Sequence, residues 1–387
     1  MRDHLKRLVE TGELDPEVDP AKIAPDVVFH PGCRIRGRET SIGPGCEIGR
    51  EGPVTLEDCQ LGSKVQLKGG YFAGATFLDG SSMGSGAHVR PGTLLEEEAN
   101  GAHTVGLKQT ILFPFVTLGS LINFCDIFMS GGTSRKDHSE VGSSYVHFNF
   151  TPHGDKATAS LLGDVPQGVM LNKPPIFLGG QGGLVGPRNL AFGTVVAAGV
   201  VNRTDIEEEN QLVTGGAIKE PLQVRPYRMG IYRGVSRLMK NNLRYIGNIL
   251  ALRAWYTSVR RPAMAADPFQ AACCEGAIRQ LDLIIEERLK RLQQVVDKMP
   301  ESIAQSEHVA PDDSRKQLLE RWPEIRSRLS TNLGEHGGED RDPQLEVWSQ
   351  ADESRRYTAA IAALPEAVKQ AGTRRLEAIV DSVTSVW

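Results

Sequence analysis

An apolar residue returns at every sixth position through much of the N-terminal half, and small residues commonly follow it. Val65, Tyr71, Phe77, Met83, Val89 and Leu95 keep this step; Leu178, Leu184, Leu190 and Val196 repeat it, and Ile42, Ile48 and Val54 form a shorter run. A step of six fits neither the turn of an amphipathic helix nor the alternation of a half-buried strand. It fits a solenoid of six-residue units, each a short strand plus a tight turn, with the apolar side chain pointing into the tube. The glycines of "IGPGCEIGREG", "MGSGAHVRPG" and "LGGQGGLVGP" suit corners where a β-carbon would crowd. Three units close a triangular coil of about 18 residues, a left-handed parallel β-helix. An antiparallel sandwich with glycine-rich turns is the competing reading, but sandwich strands recur about every 8–12 residues.

The predicted architecture is mainly β in the N-terminal half, a left-handed parallel β-helix (hexapeptide solenoid) over 26–204, with a helical lead-in over 1–25. Residues 205–262 read as a connector and basic helical segment, and 263–387 as a C-terminal α-helical domain. Segment 225–262 carries nine Arg and Lys and no Asp or Glu. It suits anionic lipid, nucleic acid, a neighbouring subunit or, as the ordinary outcome, the protein's own acidic helices. Ile278, Leu281, Ile285, Leu289, Leu292 and Val296 then recur at helical spacing. "RKQLLERWPEIRSRL" and "YTAAIAALPEAVKQAGTRRLEAIVDSV" also read as helices, with loops at "HVAPDDS" and "NLGEHGGEDRDPQ".

A formal net charge of −4 gives no general attraction to nucleic acid or anionic membrane, so nucleic acid is not an expected partner. The first residues, "MRDHLKRLVETGELDPE", lack the apolar core of a signal peptide, and no apolar run is long enough to span a membrane. A cytoplasmic protein is expected. The six cysteines, Cys33, Cys46, Cys59, Cys125, Cys273 and Cys274, form no C-x-x-C pair, and the nine histidines do not join them at zinc-site spacing. Buried reduced thiols and no metal are expected.

Within the solenoid, "VRPGTLLEEEANGAHTVGLKQT" holds two isolated cations, Arg90 and Lys108, separated by the length of one coil. That interval places them on one face of adjacent coils, about 4.8 Å apart. Like charges so close suggest an anion between or above them, a guanidinium fork and a point-charge ammonium being a natural pair for phosphate. Two solvated surface cations, offset by Glu96, Glu97 and Glu98, are the plainer alternative. Gly180 and Ala198 share the same interval, stacking two small residues on one face, as corner packing also explains.

Segment 87–201 resembles the acetyltransferase half of the bacterial bifunctional UDP-N-acetylglucosamine pyrophosphorylase/glucosamine-1-phosphate acetyltransferase family. The resemblance rests on "AHVRPGTLLEE", "VGLKQTIL", "EVGSSYVHFNF", "SLLGD" and "FLGGQGGLVGPRNLAFGTVVAAGVV". It implies acyl transfer from acetyl-CoA or another acyl-CoA to an amino-sugar phosphate or UDP-sugar, in a homotrimer. By this resemblance Arg90 and Lys108 hold the sugar phosphate, while Ser143, Asn149, Phe150, Gly180 and Ala198 border the donor. The family's catalytic histidine falls on Ser120, and its tyrosine and asparagine neighbours fall on Asn123 and Glu140. Serine is no comparable base near neutral pH, and lost general-base help costs about 10²–10⁴ in rate.

His138 and His147 are the candidate replacement bases, His138 from an apparent inserted loop at 130–140; a loop or structural histidine is the plainer reading of each. Segment 163–177, rich in proline and glycine, reads as a second insertion that could line a groove. The family's nucleotide loop has no counterpart, so uridylyl transfer is not expected. Arg90 and Ser120 are separated by one coil plus two faces, which puts them on different sides of the prism. That favours a trimer in which two sides are brought together. An acyltransferase is the first reading; a catalytically degenerate trimeric sugar-nucleotide-binding or scaffold protein is the second.

Overall fold

Short parallel strands stacked coil upon coil shape the N-terminal part. The computed structural model describes residues 13–215, 228–306, 310, 313–336 and 357–387. Of the expected helical lead-in, residues 1–12 lie outside these. Residues 13–25 hold a single short turn of helix, Pro20–Lys22, and join the solenoid through the bridges Leu14↔Ile35 and Ile23↔Ile42.

The tube has three faces. The first is a ladder of ten two-residue strands from Val28–Phe29 to Leu212–Val213. The second runs through Arg34–Arg36, Val54–Glu57, Gly70–Ala73 and Ala87–Val89 to Val146–Phe148, Gly183–Val185 and Val201–Asn202. The third includes Ser41–Ile42, Gln60–Leu61, Ala75–Phe77, Thr93–Leu95 and Ser160–Leu162. Two long strands, Gly106–Leu112 and Asn123–Met129, bend from the second face into the third. Among the described strands only the small hairpin Gly132–Ser134 with Asp137–His138 pairs antiparallel.

Alternation along each strand sends one side chain inward per unit, which is the origin of the six-residue rhythm. On the second face Ile35, Leu56, Phe72, Val89 and Leu107 stack inside the tube, each fully buried. Each such burial contributes about 1.5–3 kcal/mol. Tyr71 departs from the rhythm: it points outward, its hydroxyl donating to Glu57 Oε2 at 3.2 Å and its ring 5.3 Å from His88. The reason is coil length. Gln66 pairs back to Glu47 and forward to Ser82, and the forward coil is three residues the shorter, so the inward phase passes to Phe72.

Later coils return close to the regular length, pairing Ser82 with Asn100 and Asn100 with Thr117. The next two, from Thr117 to Glu140 and from Glu140 to Phe177, are much longer and contain the two insertions read from sequence. Both leave the edge between the third and first faces. Segment 130–139 makes the hairpin, and 163–176 holds the short helix Val165–Gly168.

The helical part packs against the third face. We label Ser236–Trp255 α1, Pro268–Asp297 α2, Ser314–His336 α3 and Glu366–Thr384 α4. The loop expected at "NLGEHGGEDRDPQ" begins inside α3, which runs on to His336; its remainder lies outside the described residues. α2 touches the third face at Gly276, where a β-carbon would stand 2.2 Å from Gln60 Oε1, so a larger residue would have to displace the Gln60 side chain. The predicted helical positions Ile278, Leu281, Ile285, Leu292 and Val296 are buried.

The end of the basic segment turns inward, while Arg228, Arg233, Arg237 and Lys240 are exposed. Arg253 pairs with Asp282 at 2.6 Å, Arg260 with Glu97 at 2.7 Å and Arg261 with Glu275 at 2.8 Å. Arg260 and Tyr256 belong to a π-helical stretch after α1, and the Tyr256 hydroxyl donates to Glu96 Oε1 at 2.6 Å. Burial pushes the Glu96 carboxyl up to about 7, against the pull of Arg260. No helix among the described residues is long and apolar enough to cross a membrane, and all six cysteines are buried.

Candidate functional site

The outward residues of the second face form a column that the register defines rung by rung, half-buried at Arg90 and Lys108. Glu57 pairs with Ala73, and the same register carries the column on to Arg90, Lys108 and Cys125. The one-coil interval therefore does stack Arg90 on Lys108, and Lys108 pairs with Cys125 on the next coil. Arg90 Nη2 reaches Cys125 Sγ at 3.5 Å, while its Nε is buried without a hydrogen-bond partner. Burial, then the neighbouring Asp126, raises the Cys125 thiol above its ordinary value, although Arg90 and Lys108 pull the other way. A neutral thiol cannot balance two cations, so the column keeps a net positive charge facing outward.

Asn123 is on the same strand as Cys125, exposed, with Oδ1 4.0 Å from Cys125 Sγ. Between His88 and Asn123 in the adjacent outward row is Gly106, which leaves a notch beside the two cations.

A second column runs along the edge where the first face turns into the second. The register Gly101↔Leu118, Leu118↔Val141, Val141↔Leu178 and Leu178↔Val196 stacks His103, Ser120, Ser143, Gly180 and Ala198, each two residues beyond its strand partner. The Ser120 backbone N–H donates to Ser143 Oγ at 3.1 Å, and a β-carbon on Gly180 would stand 2.9 Å from the Ser143 carbonyl oxygen. Ser143 and Ala198 are exposed. The edge is thus a strip of small residues with one imidazole near its start, and it borders the face that carries Arg90 and Lys108. Ser120 is therefore not on a separate side of the prism from Arg90, as its place in an even count of coils had suggested. The coil from Asn100 to Thr117 is one residue short, which brings Ser120 to the rim of the same face.

The two histidines chosen from sequence are elsewhere. His147 points into the tube in the inward row after Phe124; Nδ1 is 2.5 Å from the Cys125 carbonyl oxygen and Nε2 2.7 Å from Ser160 Oγ. Burial drives its pKa down to about 4. With both nitrogens engaged inside the wall it offers none to a groove. His138 is on the hairpin that lies against the first face, where Arg135 Nη1 and Nη2 donate to the carbonyl oxygens of Glu98 and Phe115. Burial and then Arg135 lower the His138 pKa, and its Nδ1 is buried without a partner. Glu140 is exposed on that same first face. Neither is on the face of the cation column.

Asn149 and Phe150 follow the second face at its far edge, away from the strip of small residues. Asn149 Nδ2 donates to Asp126 Oδ2 at 3.4 Å, and Phe150 is 71% exposed. His88 and His103 were missed in the sequence. Two signals could have found them: His88 stands two before Arg90 and so on the same outward face, and His103 precedes Ser120 by almost one full coil.

The chain is similar to bifunctional GlmU proteins. That of Thermus thermophilus is 35% identical over 145 residues, 37% of this chain and 29% of that protein. That of Pelobacter propionicus is 27% identical over 185 residues, covering 48% and 36%. That of Thermotoga petrophila is 27% identical over 209 residues, covering 52% and 42%. The chain thus spans less than half the length of these relatives. No family model matches. Among solved structures, LpxA from Acinetobacter baumannii aligns at 13% identity over 50% of this chain and 71% of that one, with a TM-score of 0.31, too low to bear on function.

Proposed function

We propose that this chain transfers an acyl group from an acyl-CoA thioester, acetyl-CoA in the first instance, to the amine of an amino-sugar phosphate or nucleotide sugar. The observation that carries the reading is that two columns flank one face: cations at Arg90 and Lys108 towards its far edge, and the small-residue strip Ser120, Ser143, Gly180 and Ala198 along its opposite rim. The cations take the phosphate and Asn123 a sugar hydroxyl. The strip has room for the pantetheine arm, because nothing larger than serine projects from it beyond His103.

In this reaction the amine nitrogen attacks the thioester carbon, the carbon–sulfur bond breaks, and the leaving thiolate takes up a proton given up by the amine. His103 is the imidazole best placed to carry that proton, one coil from Ser120 on the same edge, with Nδ1 3.4 Å from Thr104 Oγ1. Asn149 and Phe150 lie beside the cation column at the far edge of the same face, whereas His138 and Glu140 would contribute only from a neighbouring copy's first face. A homotrimer fits the outward row Phe177, Val195 and Leu212, whose apolar side chains are exposed on successive coils of the first face.

A non-catalytic sugar-nucleotide-binding trimer is the second reading, favoured by serine at position 120 and by the sealed position of His147. The test is thiol release from acetyl-CoA with glucosamine-1-phosphate and a panel of amino-sugar nucleotides, alongside the mass in solution. Release that depends on the sugar and vanishes in Arg90→Ala supports transfer. Sugar binding without release supports the second reading, and neither binding nor release overturns both.

A further inference from the structure

Arg288, on α2, is fully buried and reaches across the edge that follows the cation column. Nη2 donates to Asp126 Oδ1 at 2.8 Å and to Gln109 Oε1 at 3.0 Å, and Nη1 donates to the Lys156 carbonyl oxygen at 3.2 Å. Asp126 passes the connection on, since its Oδ2 accepts from Asn149 Nδ2. Gln109 and Asp126 directly follow Lys108 and Cys125 in the chain. Two turns earlier on α2, Gln280 Oε1 accepts the backbone N–H of Gly92, two residues after Arg90, at 2.9 Å. One helix thus holds the turn beyond each of three consecutive rungs.

Those turns need holding. Gln109 has φ +47° and Asp126 φ +58°, a left-handed backbone that disfavours side chains other than glycine. Gly92, at φ +80°, occupies the same place with no side chain. The two non-glycine turns are the ones whose side chains meet the guanidinium. The edge is also where strands 106–112 and 123–129 bend between faces, so a change in either turn would move Lys108 or Cys125 relative to Arg90.

We infer that α2 is part of the anion site: Arg288 and Gln280 are positioning residues that set the spacing of Arg90, Lys108 and Cys125. This rests on the reading of that column as the phosphate site. Arg288 touches no substrate; it acts through Gln109 and Asp126. The helical domain then cannot be detached without loosening the column.

The experiment is calorimetry with glucosamine-1-phosphate on the full chain, with thermal unfolding of each variant in parallel. Arg288→Lys and Gln280→Ala are the test variants, Gln280→Ala being the milder should Arg288→Lys fail to fold. Arg260→Lys is the control, because Arg260 also ties the helices to the solenoid but at Glu97, on a different edge. We expect affinity to fall about tenfold or more in the test variants, as small misplacements of binding groups do. The control should bind within about twofold of the parent whatever its stability loss. Unchanged affinity in both test variants, or an equal loss in the control, overturns the inference. If the parent does not bind, or Arg90→Ala binds as well as the parent, the phosphate-site reading itself fails and takes the inference with it.

Discussion

Arg90 Nη2 meets Cys125 Sγ at 3.5 Å across the rung that carries Lys108. The guanidinium spans two coils, so the column is a connected surface rather than separate side chains. Replacing Arg90 or Lys108 with Ala should each weaken binding of glucosamine-1-phosphate by about 1.5–3 kcal/mol, the range for hydrogen bonds to charged groups. Calorimetry decides it: unchanged affinity in both variants would mean two solvated surface cations.

His103 lies one coil from Ser120 on the open edge. If it takes the amine proton, His103→Gln should lower kcat by about 10²–10⁴ with little change in sugar affinity, and the acid limb of the pH–rate profile should disappear. A Ser120→His change in that background should restore part of the rate. Steady-state kinetics across pH would refute the assignment if His103→Gln kept both the rate and the profile of the parent.

Ala198 is exposed and ends the strip. Ala198→Trp has solvent to occupy, so its unfolding temperature should stay close to the parent's. A pantetheine arm along the strip would be obstructed, and the apparent KM for acetyl-CoA should rise about tenfold, the equivalent of about 1.4 kcal/mol. An unaltered KM would move the donor elsewhere.

His147 makes stability depend on pH. Its folded pKa is depressed to about 4 from an ordinary 6.5, so between these values the unfolded chain binds the extra proton. Stability from this group is fully present above pH 6.5 and lost as pH falls towards 4, by roughly 3 kcal/mol at the limit. Denaturant unfolding of the parent and of His147→Gln should show the parent losing more stability than the variant across that window. Parallel curves would place the imidazole in contact with water.

The solenoid was legible because its rhythm is produced by burial: Val65, Phe77, Met83, Val89 and Leu95 all point into the tube. What the rhythm does not carry is coil length. A single short coil turns Tyr71 outward, and the long coil from Thr117 to Glu140 resets the count before Ser143 and His147. Inward and outward parity decides whether a histidine is a wall or a ligand, and a loop of unknown length erases parity. His147 therefore stays open in the sequence between a groove base and the plainer structural histidine, and the fold makes it a wall residue. The cation ladder was legible because no insertion falls between Arg90 and Lys108. The contribution of α2 was not, since Gln280 and Arg288 follow their partners by 188 and 179 residues and only the fold brings them together.

Insertions leave the prism at its other two edges: the hairpin and segment 163–176 at one, residues 149–159 at another. The edge from His103 to Ala198 has none. Variation in loop length is thereby channelled away from one straight margin, and the protein can be lengthened at two corners while the third keeps its pitch, like a rule whose graduations survive any change to its handle.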